Sequence, residues 1–265
     1  MQLSAANLQL AFRNSASVRH FFYYPTIAST NEKARELALA GAQDRTLVIA
    51  DAQSAGRGRL GRSWHSPAGL GLYVSFILRP GVPAASASGV LMAVGLGAAE
   101  AAERTRLQRV VGIKWPNDLV VEGRKLGGIL MEMGVQGGVL EWCVAGIGLN
   151  VNHTAADFPV ELRDRAISLR QCCHRNVDRL GVLLDLVERV SQWYEVFLAE
   201  GTAPLLPHWR RRSAIMNRVV RVETAGGAVM GTVVGLENDG ALRVRLESGA
   251  EEVLHAGDVH LLQYR

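Results

Sequence analysis

Residues 51–64 read DAQSAGRGRLGRSW, and this stretch decides between two folds for the chain. Its three spaced glycines match G-x-G-x-x-G, the dinucleotide-binding fingerprint, which requires a strand before it and a helix within it. Residues 46–50, TLVIA, are apolar and partly β-branched, so they predict the strand. After Gly61, serine, proline and glycine recur too often for a helix, and residues 72–78, LYVSFIL, predict a second strand. The glycines therefore lie on a strand-to-strand loop, which disfavours the dinucleotide-binding fold.

The same loop alternates glycines with three arginines, Arg57, Arg59 and Arg62. Each arginine carries a planar, permanently charged fork that matches phosphate and carboxylate groups. Glycine lets the backbone approach a ligand closely. The pattern predicts a loop that binds an anion, and the alternative is a solvated basic loop without a ligand.

Composition narrows the class of protein. The 265 residues suit one large domain with a small one, and the formal net charge of +4 is compatible with an anionic substrate but too weak to indicate nucleic-acid binding. Three cysteines, two of them adjacent and without a C-x-x-C pair, disfavour a zinc site or a disulfide framework. The N-terminus lacks the features of a signal peptide, and no uncharged apolar stretch is long enough to span a membrane. We expect a cytoplasmic protein with reduced thiols and no membrane partner.

Helices and hairpins alternate along the first part of the chain. Ser29 and Glu32 fit a capping box, which predicts a helix to about Gly41. Apolar residues at helical spacing predict further helices from Ser88 to about Thr105 and from Val177 to Ala199. Short glycine turns predict antiparallel hairpins between strands at residues 109–115, 119–121, 125–133 and 139–151.

The sequence pattern changes after the run of three arginines at 210–212. Short β-rich segments at residues 219–222, 229–236, 241–246 and 252–254 are separated by turn residues. They predict a small β-barrel of the SH3-like kind. The predicted fold class is therefore α+β. A mixed, mostly antiparallel sheet flanked by helices spans residues 1–212, and the β-domain spans residues 213–265.

Two further kinds of motif carry chemistry. Residues 114–119, KWPNDL, place Lys114 at a strand end before a proline-fixed turn, where the alternative is a solvated charge beside turn formers. Residues 124–132, RKLGGILME, and 145–151, AGIGLNV, place glycines inside strands, which marks a bulge or the close approach of another group. Two such strands side by side predict a sheet face cleared for a flat ligand.

Together these residues resemble the biotin–protein ligase family. The resemblance rests on Gly56–Arg62, Lys114–Leu119, Lys125–Leu130 and Gly146–Asn150, with Ser29, Thr30, Asn31 and Gln53, and it extends over roughly residues 20–205. The C-terminal β-domain matches the small cap of that family. The resemblance implies a class II synthetase-like catalytic domain of the form that lacks an N-terminal DNA-binding domain.

The resemblance also implies a reaction. ATP activates the biotin carboxylate to biotinyl-5′-AMP, and a lysine of a biotin carboxyl carrier domain, from acetyl-CoA carboxylase or a related carboxylase, then takes the biotin. ATP and Mg²⁺ would serve as the nucleotide and its metal, with no tightly bound prosthetic group. A homodimer is common in the family.

Site residues follow from the resemblance, position by position. Catalytic roles fall to Lys114, Arg57 and Arg59. The implied biotin-binding residues are Ser29, Thr30, Asn31, Gln53, Arg57, Gly58, Arg59, Lys114, Gly127 and Gly148. The implied ATP-binding residues are Arg59, Arg62, Trp64, Asn117, Lys125 and Asn150, and Asp118 is the candidate Mg²⁺ residue through the substrate.

The ligase hypothesis carries one restriction and leaves two alternative functions open. Some members of the family are also repressors, but only 28 residues precede Ser29, which is too short for a winged helix-turn-helix domain and predicts no specific DNA binding. A lipoate or octanoate ligase or transferase shares the fold. A non-catalytic basic module that binds RNA or protein would use the β-barrel and residues 210–212.

Overall fold

The computed structural model describes residues 3–107 and 109–262. Outside the described residues lie positions 1, 2, 108 and 263–265. The outer ends of the two predicted domains, at residues 1 and 265, are among them. The helices are α1 (Ala5–Phe12), α2 (Thr30–Leu39), α3 (Ala87–Glu103), α4 (Leu169–Cys173), α5 (Arg179–Glu200) and α6 (Leu205–Arg212). The strands are β1 (His20–Ile27), β2 (Thr46–Gln53), β3 (Gly71–Leu78), β4 (Val82–Pro83), β5 (Gly112–Lys114), β6 (Asp118–Val121), β7 (Arg124–Gln136), β8 (Val139–Asn150), β9 (Val219–Thr224), β10 (Gly227–Leu236), β11 (Leu242–Arg245), β12 (Glu251–Leu254) and β13 (Asp258–Leu261).

The larger sheet has the strand order β1-β2-β3-β8-β7-β6-β5, with β4 paired to β8. Only β1 and β2 run parallel, connected through α2, and every other neighbouring pair is antiparallel. Strands β2 and β3 pair directly, so the loop of residues 54–70 joins antiparallel neighbours. The mixed, mostly antiparallel sheet is confirmed. The dinucleotide-binding alternative is excluded because the glycine motif contains only a three-residue 3-10 turn, Arg59–Gly61, and leads to strand β3 rather than to an α-helix.

Turn chemistry explains the hairpins. The turn between β6 and β7 holds Glu122 at φ 50° and Gly123 at φ 76°, the pair of positive angles that a tight type I′ turn needs. Gly137 and Gly138, at φ 59° and 79°, form the turn between β7 and β8. Strand β7 therefore runs three residues beyond the predicted end. Gly134 lies in the strand beneath Trp142, where an added Cβ would come within 2.3 Å of the indole nitrogen.

The first strand of this region is shorter than predicted. Strand β5 covers only Gly112–Lys114 rather than residues 109–115. The amide of Val111 donates to the carboxylate of Glu103 at 2.9 Å, so a side chain at the end of α3 takes the hydrogen bond that a longer strand would need.

One face of the sheet carries α3 and α5, whose contact is built on small residues. Residues Ala84–Glu103 have the length and hydropathy of a membrane-spanning helix, but two thirds of that window is buried within the protein, as in a core helix. Gly89 packs against the ring of Phe197, and Gly97 packs against the backbone of Val190. The close approach of the two helices thus depends on missing side chains.

The second sheet has the order β12-β11-β10-β9-β13 and is antiparallel throughout, as expected for a small SH3-like domain. Its buried residues, among them Val220 and Val233, belong to the same apolar cluster as the core of the larger sheet. Trp115 Nε1 also donates to the carbonyl of Gly240 at 3.1 Å. The small sheet therefore packs against the strand β5 side of the larger one.

The contact between α3 and α5 gives a stability prediction. In Gly97→Ala the new Cβ would lie 2.6 Å from the N and Cα atoms of Val190, and we expect overpacking to lower the free energy of unfolding by about 1–3 kcal/mol. Gly95→Ala is the matched control on the same helix, because its nearest neighbours are 3.8 Å away. It should gain up to about 1 kcal/mol from helix propensity. Urea unfolding of both variants tests this, and equal stabilities would contradict it.

Candidate active site

A cleft of about 580 Å³ opens beside the larger sheet, between the glycine–arginine loop, the turn after β5 and the start of β13. Almost all of the residues implied by the resemblance line it. They are Ser29, Thr30, Asn31, Gln53, Arg57, Gly58, Arg59, Arg62, Trp64, Lys114, Asn117, Asp118, Lys125, Gly148 and Asn150. Gly127 is the exception. An added Cβ there would meet Leu119 and Leu149, which belong to the core, and the neighbouring Gly128 lines the cleft instead.

One end of the cleft is a buried polar network at the start of α2. Ser29 caps the helix by accepting from the amide of Glu32 at 3.5 Å, as predicted. Gln53 Oε1 accepts from the amide and the hydroxyl of Thr30 at 2.9 and 3.1 Å. Gln53 Nε2 donates to Ser66 Oγ at 2.9 Å, so the amide orientation is fixed from both sides. Both donors and acceptors are therefore held in place at this end.

Ser75, on β3, completes this network and was not identified from the sequence. Its hydroxyl lies 2.7 Å from Asn31 Oδ1 and 2.9 Å from Thr30 Oγ1, and the residue is fully buried. The signal was a lone serine in the apolar run of β3, since a buried hydroxyl needs partners.

The glycine-bearing strands admit protein side chains. An added Cβ on Gly146 would lie 1.7 Å from Asn31 Oδ1, and one on Gly148 would lie 2.4 Å from the ring of Trp64. Asn31 also donates to the carbonyl of Leu130 and to Glu132 Oε2, both at 3.1 Å. The glycines do leave the predicted sheet face without side chains of its own strands. The side chains of Asn31 and Trp64 fill the space above Gly146 and Gly148.

The ammonium group of Lys125 lies above the ring of Trp64. Lys125 Nζ lies 5.4 Å from the ring centroid, a cation–π distance, and 2.7 Å from Asp118 Oδ1. The carboxylate of Asp118, predicted as a metal residue, is therefore paired with a lysine in this structure. No group of three or more histidine, cysteine, aspartate or glutamate side chains suited to a metal occurs among residues 3–107 and 109–262.

The arginine loop folds back on itself. The amide of Gly58 donates to the carbonyl of Arg62 at 2.7 Å, and Leu60 at the tip has a φ of 56°. Gly56 lies at the base, where an added Cβ would be 2.5 Å from the carbonyl oxygen of Trp64. A compact loop of this kind presents its arginines outward toward the cleft.

Each of the three arginines has a different set of partners. Arg57 lies 3.4 Å from Glu32 and 3.6 Å from Glu132 in exposed ion pairs, which are weak and readily exchanged. Arg59 donates to Asn117 Oδ1 at 2.9 Å and to the carbonyl of Gly257 at 3.1 Å. Burial lowers the pKa of Arg59, although an arginine stays charged at any physiological pH. Arg62 forms an ion pair with Asp258.

Lys114 faces the cleft without a close partner. No hydrogen bond or ion pair joins its side chain to another residue in the described part of the chain. Burial lowers the pKa of its ammonium group, the charges of Asp118 and Asp258 raise it, and Lys125 and Arg165 lower it again. A partly desolvated cation of this kind attracts an incoming anion more strongly than a solvated one.

Two asparagines hold the walls of the cleft. Asn117 donates to the carbonyl of Ile129 at 2.7 Å while its oxygen accepts from Arg59. Asn150 donates to the carbonyls of Lys125 and Ile167 at 3.3 and 3.1 Å. Both side chains, which the resemblance implies to bind nucleotide, therefore also hydrogen-bond parts of the cleft wall to each other.

The comparisons with known proteins agree with this geometry. Residues 23–150 match the biotin/lipoate A/B protein ligase family, and residues 215–262 match the biotin protein ligase C-terminal domain. The bifunctional ligase/repressor BirA of Bacillus subtilis is 32% identical over 260 residues, which cover 98% of this chain and 79% of that protein. The chain belongs to the biotin–protein ligase family.

Two further relatives support the assignment. The biotin–[acetyl-CoA-carboxylase] ligase of Paracoccus denitrificans is 31% identical over 240 residues, covering 87% of this chain and 96% of that protein. The solved structure of a biotin protein ligase from Aquifex aeolicus in complex with biotin and ATP has a TM-score of 0.78 and 28% identity. It covers 93% of this chain and 100% of that chain.

Sequence reasoning missed the part of this ligase-family cleft that comes from later in the chain. Arg165 lies in the connection before α4, and Asp258 and His260 lie on β13. No local motif marks these residues, because strand β13 itself was not predicted. Only the packing of the small sheet against the cleft brings them to the site.

His153 is buried behind the cleft wall, stacked on Phe158 with the ring centroids 4.8 Å apart. Neither ring nitrogen has a hydrogen-bond partner among the described residues. Burial, helped by the charge of His65 and opposed by Asp157, lowers its pKa from 6.5 to about 4. The neutral imidazole is therefore the form that the fold holds.

This burial predicts a pH dependence of stability. Between pH 6.5 and about 4 the unfolded chain takes up a proton at His153 while the folded protein does not, so stability falls as the pH falls. The loss from this site is up to about 3 kcal/mol and is absent above pH 6.5. His153→Leu should flatten this part of the pH–stability curve in urea titrations, whereas His255→Leu, at an exposed histidine, should not. Parallel curves for wild type and His153→Leu would contradict the prediction.

Proposed function

We propose that this protein is a biotin–protein ligase that works in two steps. In the first, a carboxylate oxygen of biotin attacks the α-phosphorus of ATP and pyrophosphate leaves, giving biotinyl-5′-AMP. In the second, the ε-amine of an acceptor lysine attacks the acyl carbon, AMP leaves and the amine loses a proton. The acceptor we propose is a biotin carboxyl carrier domain of acetyl-CoA carboxylase or a related carboxylase.

The observation that carries this proposal is the charge of the cleft. Six cationic side chains line it, against the three carboxylates of Asp118, Asp164 and Asp258. A carboxylate and a phosphate repel each other, so bringing them together needs positive charge fixed in advance. The cations are Arg57, Arg59, Arg62, Lys114, Lys125 and Arg165.

Lys114 and the arginine loop take the central roles in this proposal. Lys114 would contact the reacting carboxyl group and the α-phosphate, because it faces the cleft as a partly desolvated cation. Arg59 would bind the phosphate, and Arg57 would exchange its exposed ion pairs for the anionic substrate. Holding both reactants at one place supplies orientation as well as charge.

The polar end of the cleft favours biotin over lipoate. Ser29, Thr30 and Asn31 are each less than 5% exposed, and Gln53 accepts hydrogen bonds from Thr30. The ureido ring of biotin offers N–H donors and a carbonyl acceptor to such groups, whereas the dithiolane ring of lipoate offers neither. A site that hydrogen-bonds a polar group of its substrate discriminates against an analogue that lacks this group.

Trp64, Lys125 and Asn150 would form the nucleotide side of the cleft, with Arg62 and Asn117. Mg²⁺ would arrive on the phosphates of ATP, because this ion keeps several waters and needs few protein ligands. Asp118, which pairs with Lys125 in this structure, is the carboxylate that would hold that ion through the substrate. When bound, the ion would neutralise phosphate charge.

Further expectations belong to the same proposal. We assign catalysis to residues 1–212 and a covering role to residues 213–265. The three described cysteines are free, as a cytoplasmic location would require. We also propose that the protein binds no specific DNA sequence and that it can form the homodimer that is common in its family.

One experiment tests the ligase function and the choice of substrate. The purified protein is incubated with ATP, Mg²⁺ and either biotin or lipoate, and ATP–pyrophosphate exchange is measured. We expect exchange with biotin only, and streptavidin-detectable labelling of a carrier domain when one is added. Exchange with lipoate in preference to biotin would favour the lipoate ligase, and absence of turnover with either would favour the non-catalytic module.

A second experiment tests the role of Lys114. We expect Lys114→Ala to lower the biotin-dependent exchange rate by about 10²–10³, since a charge aimed at the reacting groups is removed, and Arg59→Ala to lower it comparably. Lys33→Ala is the matched control, because Lys33 pairs with Glu36 on α2 away from the cleft. Exchange by Lys114→Ala at the rate of Lys33→Ala would contradict the assignment.

A further inference from the structure

The small sheet contacts the arginine loop directly. Arg62 forms its ion pair with Asp258, the first residue of β13, and Arg59 donates to the carbonyl of the preceding residue, Gly257. Two arginines of one loop are thus held by two consecutive residues that lie almost 200 positions later in the chain. Among the described residues, no other hydrogen bond or ion pair joins the small sheet to this loop, so the polar contact depends on residues 257 and 258.

Asp258 is the more buried half of the pair. Its side chain is 17% exposed, whereas that of Arg62 is 61% exposed. Burial alone would raise the pKa of Asp258, but the hydrogen bond and charge of Arg62, together with His260 and Lys114, hold it below its usual value. The carboxylate is therefore a fixed negative charge at the rim of a cationic cleft.

The backbone around Asp258 is fixed as well. Asp258 pairs with Glu223 of β9, and an added Cβ on Gly257 would lie 2.6 Å from Val222 Cγ1. On the catalytic side, Trp115 next to Lys114 donates to the carbonyl of Gly240 at 3.1 Å. The small sheet is thus connected both to the loop of Arg59 and to the turn of Lys114.

The contacts leave the arginine able to bind a substrate. The Nη1 group of Arg59 donates to Asn117 and Nη2 donates to Gly257. A guanidinium has five N–H donors, so three remain for an anion in the cleft. Held from two sides, the fork loses less side-chain entropy when a phosphate binds.

We propose that Asp258 is a positioning residue: its ion pair with Arg62 latches the arginine loop to the small sheet and holds Arg59 over the cleft before substrate binds. This inference rests on the proposed ligase function. Loss of the latch should free the loop, weaken the binding of ATP and let the adenylate escape before transfer. The covering sheet is then part of the active site rather than a separate appendage.

Limited proteolysis and kinetics together test the latch in the full chain. In Asp258→Asn we expect trypsin to cut after Arg57 and Arg59 about fivefold faster, as an ion pair of about 1 kcal/mol allows. The KM for ATP in the exchange assay should rise by a similar factor with kcat little changed. The matched control is Glu251→Gln, which removes a carboxylate paired with Arg245 in the same sheet but outside the cleft.

Two further variants separate a latch from a general loss of structure. Arg62→Gln breaks the pair from the loop side and should expose Arg57 and Arg59 to trypsin equally. The charge swap Arg62→Asp with Asp258→Arg should restore protection toward the wild-type rate. Wild-type cleavage rates in both Asp258→Asn and Arg62→Gln, or a swap that cuts as fast as either single variant, would overturn the proposal.

The outcomes also separate this inference from the function on which it rests. A wild-type protein without exchange activity would overturn the ligase function, while the cleavage rates would still report on the latch. A wild-type protein that labels a carrier domain, with Asp258→Asn behaving like Glu251→Gln in both assays, would overturn the latch and leave the ligase function standing.

Discussion

Mutual repulsion among like charges is the constraint on which this site depends. A cleft that gathers anions must hold several cations close together and partly away from water, and each cation then disfavours the others. Burial is the main cause of the lowered pKa values of Lys114 and Arg59, and neighbouring cations lower both pKa values further. Asp118 and Asp258 oppose this lowering, and both raise the pKa of Lys114. The two carboxylates offset part of the positive charge of the cleft, as the phosphate and carboxylate of a bound substrate would.

The antiparallel sheet supplies the rigidity that this arrangement needs. Its glycines at 146 and 148 allow Asn31 and Trp64 to lie directly on the strands, and Ser75 fixes Asn31 from the next strand. The polar end and the charged end of the cleft are therefore built on one sheet. A site on paired strands keeps its geometry better than one on loops alone, and here the strands support the three arginines that come from a loop.

Much of the fold followed from local patterns, and the exceptions have physical causes. Strands β2, β3, β6, β7 and β8 were predicted because alternation and glycine turns are local signals. Strand β1 contains Pro25, which is tolerated because β1 is the edge strand of the sheet. Helix α6 follows Pro204 and contains Pro207, so its sequence resembles a loop, yet its Leu205 and Trp209 are buried. Tertiary packing decides these elements.

The site residues also divide into those identified from the sequence and those brought in by long-range packing. The residues that the resemblance implied lie together in the cleft, with the exception of Gly127. Residues brought in by long-range packing, Ser75, Arg165 and Asp258, were not identified, because no spacing along the chain predicts which distant strand covers a cleft. Gly127, which the resemblance implied to bind biotin, does not line the cleft, and Gly128 lines it instead beside a register shift in the pairing between Leu119 and Val120.

The most direct measurement of the central claim is a crystal structure of the protein with biotinyl-5′-AMP. Convergence of the cations predicts Lys114 Nζ and the Arg59 guanidinium within hydrogen-bond distance, about 3.2 Å, of the phosphate or acyl oxygens. It also predicts the ureido ring at the polar end formed by Thr30 and Gln53. An adenylate bound with its phosphate away from both cations, or with the ureido ring elsewhere, would contradict the account.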